Sequence, residues 1–355
     1  MSNRSRSRRS LLVRCGAALG AATVMASVIG PAGRALAASE SAPITVDRQV
    51  PYVTGGTPNQ SLDIYRQAGP AQGRPVLVLV HGGGFAGGST DDLSRPARLA
   101  AQQGWVAFSL DYRATIQVGT QGEAWPTELD DVKAGVRWVL AHATEFGADP
   151  GQLAMLGGSA GGTLAGLAAA DAALRVRALA LWSAPTELAP LVPGPDGVPP
   201  ACGDNTQCLE FWRNPWITNL FGCTPEACPA DYDEASLVNH ADSLPASFIS
   251  NGTEEIVPLE QAERLQSAVR ASGTTTDYHV VAGARHAQTY TESVWNDTMP
   301  FLAREVGAPE PEPIDFGSSP VEFGWTTVVI AMAVIGIVVA VVARIVSDRR
   351  RGLVL

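Results

Sequence analysis

Apolar residues recur along this chain in two rhythms, short unbroken runs and stripes at three- to four-residue spacing, and the alternation of the two predicts its architecture. The clearest run is Pro75-Val-Leu-Val-Leu-Val80, continuous enough to be buried on both faces of a sheet. Further strands are predicted over 105–111, 153–156, 178–182, 246–250 and 278–281, with two leading strands over 39–51, at the edge, and 61–65. Helices are predicted over 94–104, 125–145 (apolar at Leu129, Val132, Val136, Val139 and Leu140), 163–171 and 259–271. Strand followed by helix, repeated, predicts an α/β fold with a mostly parallel, doubly wound sheet. The rhythm breaks over 183–242, where Pro/Gly clusters and the aromatics Phe211, Trp212 and Trp216 gather. From Gly307 the chain turns rich in Pro, Glu and Ser, the composition of an extended, flexible tether.

The two ends follow other rules. Residues 1–37 combine an arginine-rich start, an apolar stretch from Leu11 and the small-residue site Ala35-Leu-Ala37, the three parts of a secretory signal. Ser7-Arg-Arg-Ser-Leu-Leu12 resembles the twin-arginine export motif, although arginine pairs also occur in general signals. Cys15 follows Arg14 and does not match a lipidation site. Residues 325–343 carry no charge, and a 19-residue helix spans roughly 28 Å, close to the hydrocarbon thickness of a bilayer. Arg344 and Arg349-Arg-Arg351 follow, so the positive-inside rule predicts a transmembrane helix whose C-terminal side is cytoplasmic, with Trp325 at the opposite interface. The expected organisation is a signal (1–37), one extracytoplasmic domain (38–306), a Pro/Glu-rich linker (307–323), a membrane helix (324–346) and a cytoplasmic tail (347–355).

Charge changes the picture in one respect. Of 25 basic residues, six lie in 1–37 and four in 344–351, whereas only Asp348 of the 35 acidic ones lies in those ends. The region between holds 15 basic against 34 acidic residues, which argues against nucleic acid or anionic lipid as its ligand.

Candidate chemistry starts at Gly157-x-Ser159-x-Gly161, which follows a predicted strand and opens a predicted helix. That is the pattern of a nucleophile elbow, a turn so sharp that only small neighbours fit around the serine. His81-Gly-Gly-Gly-Phe85 closes an earlier strand, and its glycines let backbone N–H groups approach a developing oxyanion. Gly83 and Gly84 are the predicted donors there, with Ala160, the residue after the serine, as a third.

Residues 43–305 resemble an alpha/beta-hydrolase esterase of the hormone-sensitive-lipase-like and acetyl-esterase-like branches. The resemblance rests on Leu62-Asp-Ile-Tyr65, His81-Gly-Gly-Gly-Phe85, Asp111-Tyr-Arg113, Asp131 with Trp138, and Gly157-Gly-Ser-Ala-Gly-Gly162. It implies the order serine, acid, histidine. His286, after the last strand in Gly283-Ala-Arg-His286, fits that order; His81, His142, His240 and His279 do not. The acid belongs in Asn251-Gly-Thr-Glu-Glu-Ile-Val-Pro258, where Gly252 as register points to Glu255 and Pro258 to Glu254; Glu255 is favoured. Tyr112 and Arg113 are expected to be structural.

The resemblance makes the irregular insertion at about 183–242 a cap over the active site. Cys202, Cys208, Cys223 and Cys228 all lie in it, spaced for two local disulfides, although four cysteines permit three pairings and a zinc site is the alternative. The implied protein is a membrane-anchored serine esterase using an acyl-enzyme intermediate, with no cofactor or metal and a small-molecule, lipid or cell-envelope ester as substrate. A peptidase of the prolyl-oligopeptidase kind and a non-catalytic hydrolase-fold binding protein are the rival readings. The oligomeric state is not legible in the sequence.

Overall fold

A computed structural model of the chain describes residues 42–70, 72–114 and 125–317. The predicted signal, membrane helix and cytoplasmic tail lie outside these residues, as do 318–323 of the linker. Among the described residues no helix is long and apolar enough to cross a membrane.

Eight strands form one sheet: β1 (Ile44–Pro51), β2 (Ser61–Gln67), β3 (Arg74–Val80), β4 (Val106–Leu110), β5 (Ala148–Gly158), β6 (Ala178–Trp182), β7 (Ala246–Gly252) and β8 (Thr276–Val281). Their order is β1-β2-β4-β3-β5-β6-β7-β8. β1 and β2 run antiparallel at one edge, and the six strands from β4 to β8 are parallel. The described residues also hold eight α-helices, α1 (Ser94–Gln102), α2 (Thr127–His142), α3 (Ala160–Ala169), α4 (Thr206–Trp212), α5 (Trp216–Phe221), α6 (Pro229–Glu234), α7 (Leu259–Ala271) and α8 (Thr291–Val306).

The two-residue period of β3 feeds two cores. Val76, Val78 and Val80 join the core under α2, α3, α7 and the cap, whereas Leu77 and Leu79 join the one under α1 and α8. The continuous aliphatic run thus satisfies both faces of a central strand. Chain order reverses between β3 and β5, and the crevice beyond their C-terminal ends is where an open α/β sheet places its ligand.

The structure departs from the sequence pattern in three places. β5 spans eleven residues rather than four, because its polar first half, Asp149 to Gln152, lies partly exposed and gives no aliphatic signal. α8 arises where no element is predicted: its buried stripe of Val294, Trp295, Thr298, Met299, Leu302 and Val306 includes a threonine and flanks Pro300. The linker is not a free tether from its start. Ala308, Ile314 and Phe316 pack against the α1/α8 core, and Asn296 exchanges two 2.9 Å hydrogen bonds with the backbone of Ile314.

The cap holds α4, α5 and α6, with disulfides Cys202–Cys208 and Cys223–Cys228 at Cα separations of 5.4 and 6.2 Å. These are the two local bridges among the three pairings, and with all four sulfurs spent on one another no zinc site forms from them. Where the cap leaves and rejoins the sheet, the chain passes the same point: the Val238 N–H donates to Thr186 O at 3.4 Å. Gln261 of α7 pins the entry, accepting from the Thr186 and Glu187 N–H groups at 2.8 and 2.7 Å and donating to Glu187 O at 3.1 Å.

The ends of β3 and β5 approach so closely that their turns exclude side chains. A Cβ on Gly161 would lie 2.2 Å from the carbonyl oxygens of both Val80 and His81, and neither can swing away. Gly161→Ala is therefore expected to lower stability by roughly 2–3 kcal/mol or more, whereas Gly87→Ala, with nothing within 4 Å, stays within about 0.5 kcal/mol. Urea unfolding of both variants checks the contrast.

Candidate active site

Ser159 stands at the β5–α3 junction with φ 54° and ψ −132°, a conformation that L residues rarely adopt. Its neighbours make this turn feasible: a Cβ on Gly157 would meet the Gly161 carbonyl oxygen at 2.3 Å, and one on Gly82 would meet Ser159 Cβ at 2.8 Å. The Ser159 N–H is spent on Trp182 O at 2.9 Å, so the first free N–H at the start of α3 belongs to Ala160. Ala160 is fully buried and is not among the residues lining the cavity that Ser159 faces.

The glycine loop after β3 turns over itself: Ala86 and Gly87 N–H both donate to Gly83 O, at 3.0 and 3.2 Å. Gly83 has φ 125° and Gly84 φ 63°, so both need the freedom of glycine. His81 fixes the base of the loop. Its ring stacks on Tyr112 at 4.4 Å, with Nδ1 2.7 Å from Gly82 O and Nε2 3.1 Å from Asp111. The Tyr112 hydroxyl donates to His81 O at 2.9 Å, and Arg113 holds Asp131 through Nε and a terminal nitrogen at 2.8 and 2.9 Å. Tyr112 and Arg113 are thus structural, as expected.

The turn after β7 resolves the two glutamates. Glu255 is buried, its Oε2 against His286 Nδ1 and its Oε1 accepting from the Gly252 N–H at 2.8 Å. Glu254 is exposed. Of the two, Glu255 is the one placed against His286: the turn folds back on Gly252, and the residue three positions on points inward. Gly82, Gly83, Gly84, Ser159, Phe211, Trp216, Ile256, His286 and Gln288 line one cavity of about 270 Å³. The sheet thus brings Ser159, His286 and the glycine loop to a single space, with Glu255 behind the histidine.

A family model, that of the BD-FAE family, matches residues 62–269, more than half of the chain. The chain belongs to the BD-FAE family. This is an alpha/beta-hydrolase family of the esterase/lipase kind, in accord with the motifs above. The chain is 29% identical over 252 residues to esterase LipQ of Mycobacterium tuberculosis, covering 67% of this chain and 56% of that one. Over 259 residues it is 29% identical to esterase LipC of the same organism, covering 67% and 59%. It therefore spans somewhat over half the length of these relatives. A truncated carbohydrate esterase from gut microbiota shares the fold with a TM-score of 0.62 at 18% identity, over 76% of this chain and 99% of that one.

Within this BD-FAE domain, one residue at the site gives no motif signal. Ser183 follows β6 at φ 54°, and its hydroxyl donates to Glu255 Oε1 at 2.6 Å while accepting the Ala287 N–H at 2.9 Å. Since its one proton goes to Glu255, only the phenolic proton is left for the 2.9 Å contact with Tyr290, and Tyr290 shares that proton with Ser250 O at 3.1 Å. Burial, and then the Glu255 charge, push the Tyr290 phenol far above its ordinary range, so it remains protonated. From the cap side, Asn205 donates to Glu255 O at 2.7 Å and Trp212 Nε1 to Ile256 O at 2.6 Å. Asn205 sits inside the Cys202–Cys208 loop and caps α4 by accepting from the Cys208 N–H at 3.1 Å.

Ser183→Ala removes a buried hydrogen bond to a carboxylate, typically about 1.5–3 kcal/mol. Thermal unfolding is expected to show that loss of stability.

Proposed function

We propose that this chain is a carboxylic ester hydrolase acting through an acyl-enzyme at Ser159. The observation that carries the reading is the Glu255 carboxylate on His286 Nδ1, with His286 and Ser159 facing one cavity floored by the glycine loop. In this mechanism the Ser159 hydroxyl attacks the ester carbonyl and His286 takes its proton. Glu255 keeps the imidazole in the tautomer that can accept and stabilises the imidazolium. The N–H groups of Gly83, Gly84 and Ala160 receive the oxyanion. Collapse expels the alcohol, protonated by His286, and water then repeats the sequence to release the acid. The names of LipQ and LipC support this activity.

The reading extends to the ends of the chain. The leader over 1–37 exports the domain, by the twin-arginine or the general route, and 324–346 anchors it in the membrane with the domain outside. The support is in the sequence: the tripartite leader, and an uncharged 19-residue run followed by arginines.

Two measurements test the chemistry. With the full chain in detergent and p-nitrophenyl esters from acetyl to long acyl, Ser159→Ala is expected to lower kcat/KM by at least about a thousandfold. Hydrolysis that survives the substitution would overturn the assignment. The wall over Gly84 is aromatic: a Cβ there would meet Phe211 at 3.4 Å and Trp216 at 3.7 Å. In Trp216→Ala the chain-length optimum is expected to move to longer acyl groups, each added methylene contributing up to about 0.8 kcal/mol.

A further inference from the structure

The linker's packed start decides where the chain leaves the domain. Gly307, at φ 78°, ends α8, and the Ala308 N–H returns to Ala303 O at 2.8 Å. The chain then doubles back. Gln103, at the C-terminal end of α1, donates to Glu312 O at 2.7 Å and accepts from Trp295 Nε1 at 3.0 Å, tying segment, α1 and α8 together. Two residues on, Ile314 meets Asn296 in α8; two further, the Phe316 ring lies 5.9 Å from the guanidinium of Arg95 in the first turn of α1. Residues 308–316 therefore run antiparallel to both helices, from their C-terminal ends to their N-terminal ends.

In a parallel α/β sheet the helix N-termini lie at the edge where the strands end, which here is the edge of the site. Arg95 pairs with Glu292 in the first turn of α8, and Glu292 is one turn beyond Gln288, which lines the cavity with His286. The chain thus leaves the domain beside the rim of the cavity, not at the opposite end of the sheet.

This placement alters the reach of any anchor that follows. A free linker over 307–323 would extend up to roughly 60 Å and let the domain tumble; with 308–316 docked, residues 318–323 reach at most roughly 20 Å. A domain of this size is about 45 Å across. A tether shorter than half the domain, leaving from the cavity edge, fixes which end faces the membrane.

We propose that 308–316 is a docked strap that holds the cavity mouth toward the bilayer, so that the substrates are amphiphilic esters resident in the membrane. This rests on the anchoring reading above. Ala308, Ile314 and Phe316 packed on the core, the Gln103–Glu312 bond and the paired Asn296 bonds hold the strap.

The test uses the full chain reconstituted in phosphatidylcholine vesicles. Hydrolysis of a bilayer-embedded fluorogenic diacylglycerol ester is compared with that of water-soluble p-nitrophenyl acetate. One variant inserts twelve Gly/Ser residues after Gly317, touching no folded contact; a second, Asn296→Ala with Phe316→Ala, releases the strap. Both are expected to keep the soluble-ester rate within about twofold of the parent. Tripling the tether is expected to lower lipid-ester turnover about fivefold, as effective concentration falls with length. Lipid-ester turnover unchanged by the insertion, with the protein still resistant to alkaline extraction, would overturn the strap proposal alone. Loss of the parent protein from the vesicles on alkaline extraction would overturn the anchoring on which it rests.

Discussion

The structure depends above all on two turns that touch backbone to backbone. β3 and β5 are neighbours in the sheet, and the loops leaving their C-terminal ends meet at Gly82, Gly157 and Gly161, where added methyl groups would fall 2.2–2.9 Å from neighbouring atoms. Van der Waals contact begins near 3.4 Å, so these positions admit no side chain without moving a central strand. Because the turns meet, Ser159 is driven to positive φ and its amide is spent on Trp182, while the glycine loop is set directly before its hydroxyl. Every other part of the candidate site is placed relative to that contact.

The parts of this arrangement that follow from simple rules are legible in the sequence. β3, β4 and β6 are buried on both faces and advertise it as apolar runs, with Ser109 in β4 the one polar interruption; the elbow and the glycine loop announce themselves because close approach admits only small residues. Legibility fails where local pattern and tertiary role part company. The cap helices are six or seven residues long, too short for periodicity to register. α8 mixes threonines into its buried face and carries a proline beside it, and only its packing on the sheet makes it a helix. Ser183 looks like any serine, since its role comes from a strained φ and from a tyrosine over one hundred residues away. The choice between Glu254 and Glu255 turns on one reversal of the backbone that no residue count could decide. The composition after Gly307 reads as a tether, and only the packing of Ile314 and Phe316 on the core shows that its start is docked.

The cap is more than a cover. α4 carries Phe211 on the cavity side and Trp212 against the loop of the proposed acid, so one short helix serves both as wall and as brace. With Asn205 beside it, the cap grips two successive carbonyls of that loop, Glu255 and Ile256. The carboxylate itself is held from the other side by Gly252 and Ser183. Motion of the cap is thereby coupled to the orientation of His286 through a single turn of backbone.

The side-by-side feet of the cap carry an implication for how such a protein diversifies. A segment that leaves and re-enters the fold at one point can be lengthened or rewritten at a loop-closure cost that grows only logarithmically, about 0.6 kcal/mol per doubling. The Thr186–Val238 contact and the Gln261 pin make residues between them a cassette, free to drift while the sheet and its turns stay fixed. Two positions within the cassette are not free. A graft from another lineage would have to supply donors where Asn205 and Trp212 stand, or inherit a new pocket with an unsteadied acid.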